Sequence, residues 1–175
     1  VTDADHRGRL QVELENIGRH DQLVHNASTL GPVPMRPLAE VTIEDLTQVW
    51  RTNLGAPLVL TTDLLPLLTA CHGVLLSISS DAAVEHYETW GLYGASKAGL
   101  DHLTLTFAAE NPGLTAYAVD PGDMRTALHQ AAFPGEDISD RPLPESVVPR
   151  ILGLLDDRPA SGRYQASELL ATVGA

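Results

Sequence analysis

The sequence predicts an α/β fold, a parallel β-sheet doubly wound by helices on both faces, and three observations predict it. Short apolar runs alternate along the chain with long segments of helical character, the pattern of strands joined by crossover helices. Three of those runs leave through polar or Pro-Gly exits: His25-Asn26-Ala27-Ser28, Ser79-Ser80 and Asp120-Pro121-Gly122. Parallel strands need such long crossovers, and ligands in these sheets bind beyond the strands' carboxyl ends. The three exits therefore line one crevice.

Each element follows from local chemistry. Asp3 can cap a helix from Ala4 to Ile17, which Gly18 ends before a strand from Gln22 to His25. Pro32, Pro34 and Pro37 stiffen the segment from Gly31 to Leu38. Thr42-Ile43-Glu44-Asp45 then reads as a capped helix start with a charged first turn, and that helix runs past Trp50 and Asn53 to about Ala70. Gly73 to Ser80 reads as a buried strand ending in hydroxyls. The next helix starts at Trp90 to Leu92 and runs to Asn111, where Pro112-Gly113 stops it. Leu114 to Asp120 is a strand, Met124 to Gln130 a short helix, and Ala131 to Pro142 an irregular flap over the substrate side. Pro144 opens a last helix to about Leu155, and Ser161 to Gln165 is a final short strand.

A chain of 175 residues with 43% hydrophobic content can build one sizeable core, and neither an internal repeat nor a second domain is visible. Lys+Arg of 11 against Asp+Glu of 23 gives a formal charge of -12, which argues against nucleic acid and against an anionic membrane surface as partners. The single cysteine, Cys71, cannot form an intrachain disulfide, which fits a reducing cytoplasm. The polar, acidic opening Val1-Thr2-Asp3 is not a secretory signal. The most apolar stretch, Leu54 to Ala70, carries Asp63, Pro57 and Pro66 and reads as a buried helix rather than a span. No His-x-x-x-His or Cys-x-x-Cys spacing suggests a metal site.

The chemistry concentrates in Leu92-Tyr93-Gly94-Ala95-Ser96-Lys97. Residues four apart share a helix face, so the Lys97 ammonium can sit beside the Tyr93 phenol and favour its ionised form. That would make Tyr93 a proton carrier near neutral pH. Ser80 lies thirteen residues before the tyrosine, on a strand exit. Ser79 is its rival, and no Gly-x-Ser-x-Gly elbow surrounds either to suggest a hydrolase. His86, Trp90 and His129 fall near the substrate side, with packing or solvation the simpler reading for each.

Taken together, these motifs resemble the short-chain dehydrogenase/reductase family from Val1 to about Gln165. The family's Asn-Asn-Ala-Gly appears as His25-Asn26-Ala27-Ser28, its helix asparagine as Asn53, its serine as Ser80, its Tyr-x-x-x-Lys as Tyr93 and Lys97, and its Pro-Gly-x-x-x-Thr as Pro121, Gly122 and Thr126. The resemblance implies a Rossmann-like sheet and hydride transfer between a nicotinamide cofactor, NAD or NADP, and a small carbonyl or alcohol substrate. It implies Tyr93 as general acid/base, Lys97 as its electrostatic partner and a ribose contact, and Ser80 as the donor to the substrate oxygen. Asn53 would anchor a water linking Lys97 to solvent. Asn26 and Ala27 would lie beside the ribose, and Pro121, Gly122 and Thr126 near the nicotinamide. Family members commonly pair through the helices holding Asn53 and Tyr93, so a homo-oligomer is expected.

One departure matters. The family's glycine-rich turn, which lets backbone amides approach the pyrophosphate at a helix N-terminus, has no counterpart: no two glycines here are separated by a single residue. Val1-Thr2-Asp3 resembles the stretch after the family's third strand, so about four strands of the sheet are expected, as an N-terminally truncated, C-terminal catalytic portion forming one domain over 1–175. The strand Leu23-Val24-His25 would then present an open edge able to pair with another segment or copy. Two function classes stay open at this point. One is an oxidoreductase, favoured by the complete proton relay; the other is a cofactor-free relative acting as a binding or assembly module, favoured by the missing phosphate turn.

Overall fold

The computed structural model describes residues 2–171. Helix α1, Ala4–Ile17, begins where the Asp3 carboxylate accepts the His6 N–H at 2.8 Å, and ends on Gly18, whose left-handed backbone (φ 73°) returns its N–H to Leu14. Strand β1 is Gln22–His25. Helix α2, Ile43–Trp50, opens with a reciprocal cap: Asp45 N–H donates to the Thr42 hydroxyl and Thr42 N–H to the Asp45 carboxylate, both at 3.1 Å.

The helix then continues through Arg51–Gly55 as a π-type turn, in which Ala56 N–H reaches Arg51 O, and on into α3, Ala56–Ala70. The pattern of apolar residues gives the helix but not this turn. Pro57 follows it, in the first turn of α3, and has no N–H to return to the Asn53 carbonyl four residues back. Among the described residues Ile43–Ala70 is the one helix long and apolar enough to cross a membrane by length and composition, at 28 residues and mean hydropathy 1.2. It packs Leu64 and Leu68 fully buried onto the sheet, as a core helix does.

Strand β2, Val74–Ile78, is followed by α4, Gly91–Glu110, β3, Thr115–Asp120, and α5, Ala127–Ala132. Helix α5 starts three residues later than the sequence suggests. Thr126 holds an extended backbone and its hydroxyl accepts the His129 N–H, so it is the cap and Met124 lies outside. Helix α6, Pro144–Asp157, and strand β4, Gly162–Gln165, complete the order.

All three strand pairings are parallel, in the order β1-β2-β3-β4, with Leu23 beside Leu75, Leu75 beside Ala116 and Ala118 beside Arg163. Alternation sorts the side chains into two cores. Leu23, Leu75 and Ala116 face α3, with Leu14 of α1 and Phe107 of α4 against the same cluster. Val74, Leu76, Tyr117 and Val119 face Leu154 and Leu155 of α6. Helices thus cover both faces, and every strand delivers its carboxyl end to one side. Among the described residues β1 pairs with β2 alone, and its Val24 is exposed.

Candidate active site

A crevice of about 390 Å³ opens at the carboxyl ends of the strands. Asn26 and Ala27 enter it from the β1 exit, Ser80 from the β2 exit, Pro121, Gly122 and Thr126 from the β3 exit, and Tyr93 and Lys97 from α4. The approach of α4 depends on a glycine. A Cβ on Gly94 would fall 2.5 Å from the Ala82 carbonyl, so only glycine lets the helix press against the turn after Ser80. Gly122, at φ 73° and with nothing within 4 Å of where its Cβ would stand, leaves the crevice wall bare backbone.

Tyr93 and Lys97 share a buried face, with the ammonium 5.5 Å from the centre of the phenol ring. Lys97 Nζ donates to the Ile78 carbonyl at 2.8 Å, at the end of β2. Burial pushes the Lys97 amine down to about 8 and the Tyr93 phenol up to about 12, the Ser28 and Ser80 hydroxyls pulling the phenol the other way. Burial thus outweighs the help the neighbouring ammonium was expected to give the phenolate. Packing of Tyr93 against Leu30, Ala82 and the edge of Trp90 keeps its oxygen dry, while the ammonium is turned to a strand carbonyl. Tyr93 therefore stands as a neutral phenol, a proton donor. Ser80 is engaged locally: its hydroxyl donates to Asp81 Oδ1 at 3.0 Å and accepts the Ala82 N–H at 3.2 Å.

Asn53 does not line the crevice. It is fully buried one layer behind, where Oδ1 accepts the Thr29 N–H and Nδ2 donates to the Thr29 carbonyl and Ser96 Oγ, each at 2.9 Å. Its side chain is spent on the β1 exit and on Ser96, so it is not the side-chain amide that is placed to anchor a water, and Pro57, four residues on, offers its backbone carbonyl no N–H.

His25 points away from the crevice, its Nε2 sharing a hydrogen bond of 2.7 Å with the Thr61 hydroxyl of α3. Burial lowers the ring to about 4. A folded-state value below the unfolded 6.5 means that the contribution to stability is complete above pH 6.5 and is lost as pH falls through 4. The unfolding midpoint of the chain is expected to fall across that window, and to fall less steeply in a His25→Gln variant when both are melted from pH 7 to pH 4.

On the substrate side the rings of Trp90, Phe133 and His129 form a wall, with centroids 5.9 Å and 4.8 Å apart in that order, and Trp90 meets Tyr93 edge-on at 5.8 Å. His129 lines the crevice, buried, its Nδ1 3.8 Å from the Asp123 carboxylate. His86 lies on a separate groove outside α4. Two further residues escape sequence reading. Asp101 has a signal, one helical turn beyond Lys97 on the same face; Arg163 has none, since only the β3–β4 pairing brings it here.

Residues 2–137 match the family model described as short chain dehydrogenase. The chain is 34% identical to the uncharacterized oxidoreductase YciK of Escherichia coli (strain K12), over 81% of this chain and 56% of that protein. It is 32% identical to sepiapterin reductase of Bos taurus, over 63% of this chain and 43% of that enzyme. The chain thus spans about half the length of these relatives. Among solved structures, a short chain dehydrogenase from Escherichia coli CFT073 complexed with NADPH superposes with a TM-score of 0.84 at 31% identity, covering 94% of this chain and 70% of that one.

Proposed function

The chain belongs to the short-chain dehydrogenase family, and on that footing we propose that it is the catalytic part of an oxidoreductase interconverting a small carbonyl compound and its alcohol with NAD or NADP. The observation that carries this reading is the convergence of Tyr93, Lys97 and Ser80 on one crevice. The residues present suit a nicotinamide cofactor. Bare backbone at Gly122, the Asn26 amide and the Lys97 ammonium offer a flat surface, an amide and a cation along one wall. Asn26, Ala27, Tyr93 and Lys97 would hold the ribose side, and Pro121, Gly122 and Thr126 the nicotinamide side.

The bound cofactor supplies the hydride. In reduction the neutral Tyr93 phenol donates its proton to the substrate oxygen and becomes a phenolate, and in oxidation the phenolate takes the alcohol's proton and returns to the phenol. Ser80 turns its O–H from Asp81 to the substrate oxygen, where negative charge develops. Lys97, with an amine lowered to about 8, carries a proton that it can pass toward Tyr93, and a water on the Asn53 backbone carbonyl connects it to solvent. The aromatic wall of Trp90 and Phe133 shields the reacting oxygen from bulk water. A homo-oligomer in the cytoplasm is the proposed setting.

A second reading, a cofactor-free binding module, is favoured by the engagement of Ser80 with its own turn and by the raised phenol. Titration with NADPH and NADH separates the two. Because Trp90 lines the crevice and Trp50 does not, saturable quenching is expected to disappear in a Trp90→Phe variant and to persist in Trp50→Phe. Consumption of the reduced cofactor with a panel of ketones and aldehydes should follow. No saturable quenching with either cofactor, and no turnover, would favour the module.

A further inference from the structure

We propose that Asp101, buried, and Arg163, half-buried, form a positioning pair that ties the β2 exit carrying Ser80 to the charge of Lys97; the proposal rests on the oxidoreductase reading above. The exit is clamped from two sides. Lys97 Nζ donates to the Ile78 carbonyl at 2.8 Å, and Arg163 Nη2 donates to the Ser80 carbonyl at 2.9 Å. The two cations come from different elements, α4 and β4, and hold carbonyls two residues apart. Asp101 is placed to serve both. It lies one turn beyond Lys97 on α4, accepts Arg163 Nε at 3.1 Å, and is largely buried. Arg163 Nη2 also stands 3.5 Å from Asp120 at the end of β3, so one guanidinium touches α4, the β2 exit and β3.

A dry ammonium needs a counter-charge, and the charged and titratable groups around Lys97 show which one is available. On α4 these are Tyr93 and Asp101; at the β2 exit, Asp81; at and beyond the β3 end, Asp120, Asp123 and His129; on β4, Arg163. Asp120 is shared with Arg163 and Asp81 is engaged by Ser80 and Tyr87. Asp101 remains: it is the carboxylate one helical turn along the buried Lys97 face of α4, and its charge opposes the lowering that burial imposes on the amine. Burial pushes the Asp101 carboxyl up, and Ser79 and Arg163 pull it back, so Arg163 keeps Asp101 ionised while competing for its charge.

The two substitutions should therefore act in opposite directions. Lys97 is the only lysine in the sequence, so the full chain made with isotopically labelled lysine gives a single side-chain resonance to titrate by NMR, with no cofactor present. Asp101→Asn removes the counter-charge and is expected to lower the Lys97 midpoint by about one pH unit. Arg163→Gln releases the carboxylate to Lys97 and removes a like charge, and is expected to raise it. In the active enzyme the corresponding limb of the pH–rate profile should move with each midpoint. An unmoved or raised midpoint in Asp101→Asn overturns the proposal, as does a chain that no longer folds on that near-isosteric change, which would make the pair a structural bridge. Should Arg163→Gln alone fail to fold, Asp101→Asn still decides. The two readings fail separately. Opposed NMR shifts in a chain without turnover reject the oxidoreductase and keep the pair; turnover with unmoved midpoints does the reverse.

Discussion

Tyr93→Phe is expected to lower carbonyl reduction by about 10²–10⁴-fold while weakening nicotinamide binding far less, since Asn26, Ala27 and Lys97 still hold the ribose side. The phenol is the hydroxyl that α4 brings to the crevice, with Lys97 behind it to restore its proton, and burial pushes it up to about 12. Removing a single oxygen leaves the ring, its edge contact with Trp90 and its packing on Leu30 and Ala82 in place. The variant should therefore melt close to the parent. Quenching of Trp90 by NADPH measures binding, and cofactor oxidation with a ketone measures turnover. Equal loss of both would show that the hydroxyl holds the site together rather than moving a proton. A parent-like rate would hand the proton to another donor in the crevice, the Lys97 ammonium or the Ser80 hydroxyl.

Both this expectation and the fold were legible in the sequence where chemistry is local. Asp3, Gly18 and the Thr42–Asp45 box mark helix ends because capping is settled within a turn, and the strand exits announce the crevice because a parallel sheet sends all of them to one side. What stayed hidden depends on distance through space. Whether Lys97 ionises Tyr93 turns on where the ammonium points, and here it points to Ile78. The role of Asn53 turns on Thr29 and Ser96, and it sits in a π-type turn that the apolar pattern does not encode. Arg163 reaches the site through strand register alone, which no spacing within its own segment encodes.

Asn53→Leu is expected to destabilise the chain by about 3–4 kcal/mol, seen as a fall of roughly 10 °C in the thermal midpoint. Leucine is of similar volume but has no polar atom. The half-buried Thr29 N–H and C=O would each lose a 2.9 Å partner, and the fully buried Ser96 Oγ would keep only its bond to the Tyr93 carbonyl. Stranded buried backbone groups cost about 1–3 kcal/mol each, more than the leucine side chain recovers by burial in a slot shaped for an amide. The damage should also reach the crevice, because Thr29 follows Ser28, whose hydroxyl lies 3.4 Å from Asn53 Oδ1 and pulls the Tyr93 phenol downward. Asn53→Asp supplies the control with a sign of its own. As a carboxylate it keeps the bond from Thr29 N–H but cannot donate to the Thr29 carbonyl or Ser96, whereas as a neutral acid it can donate to one of them. Its deficit should shrink as pH is lowered, against the direction in which His25 moves the parent. Melting the three chains side by side from pH 7 to pH 4 reads both trends, and an Asn53→Leu variant within about 1 kcal/mol of the parent would mean that Thr29 finds other partners when the amide is gone.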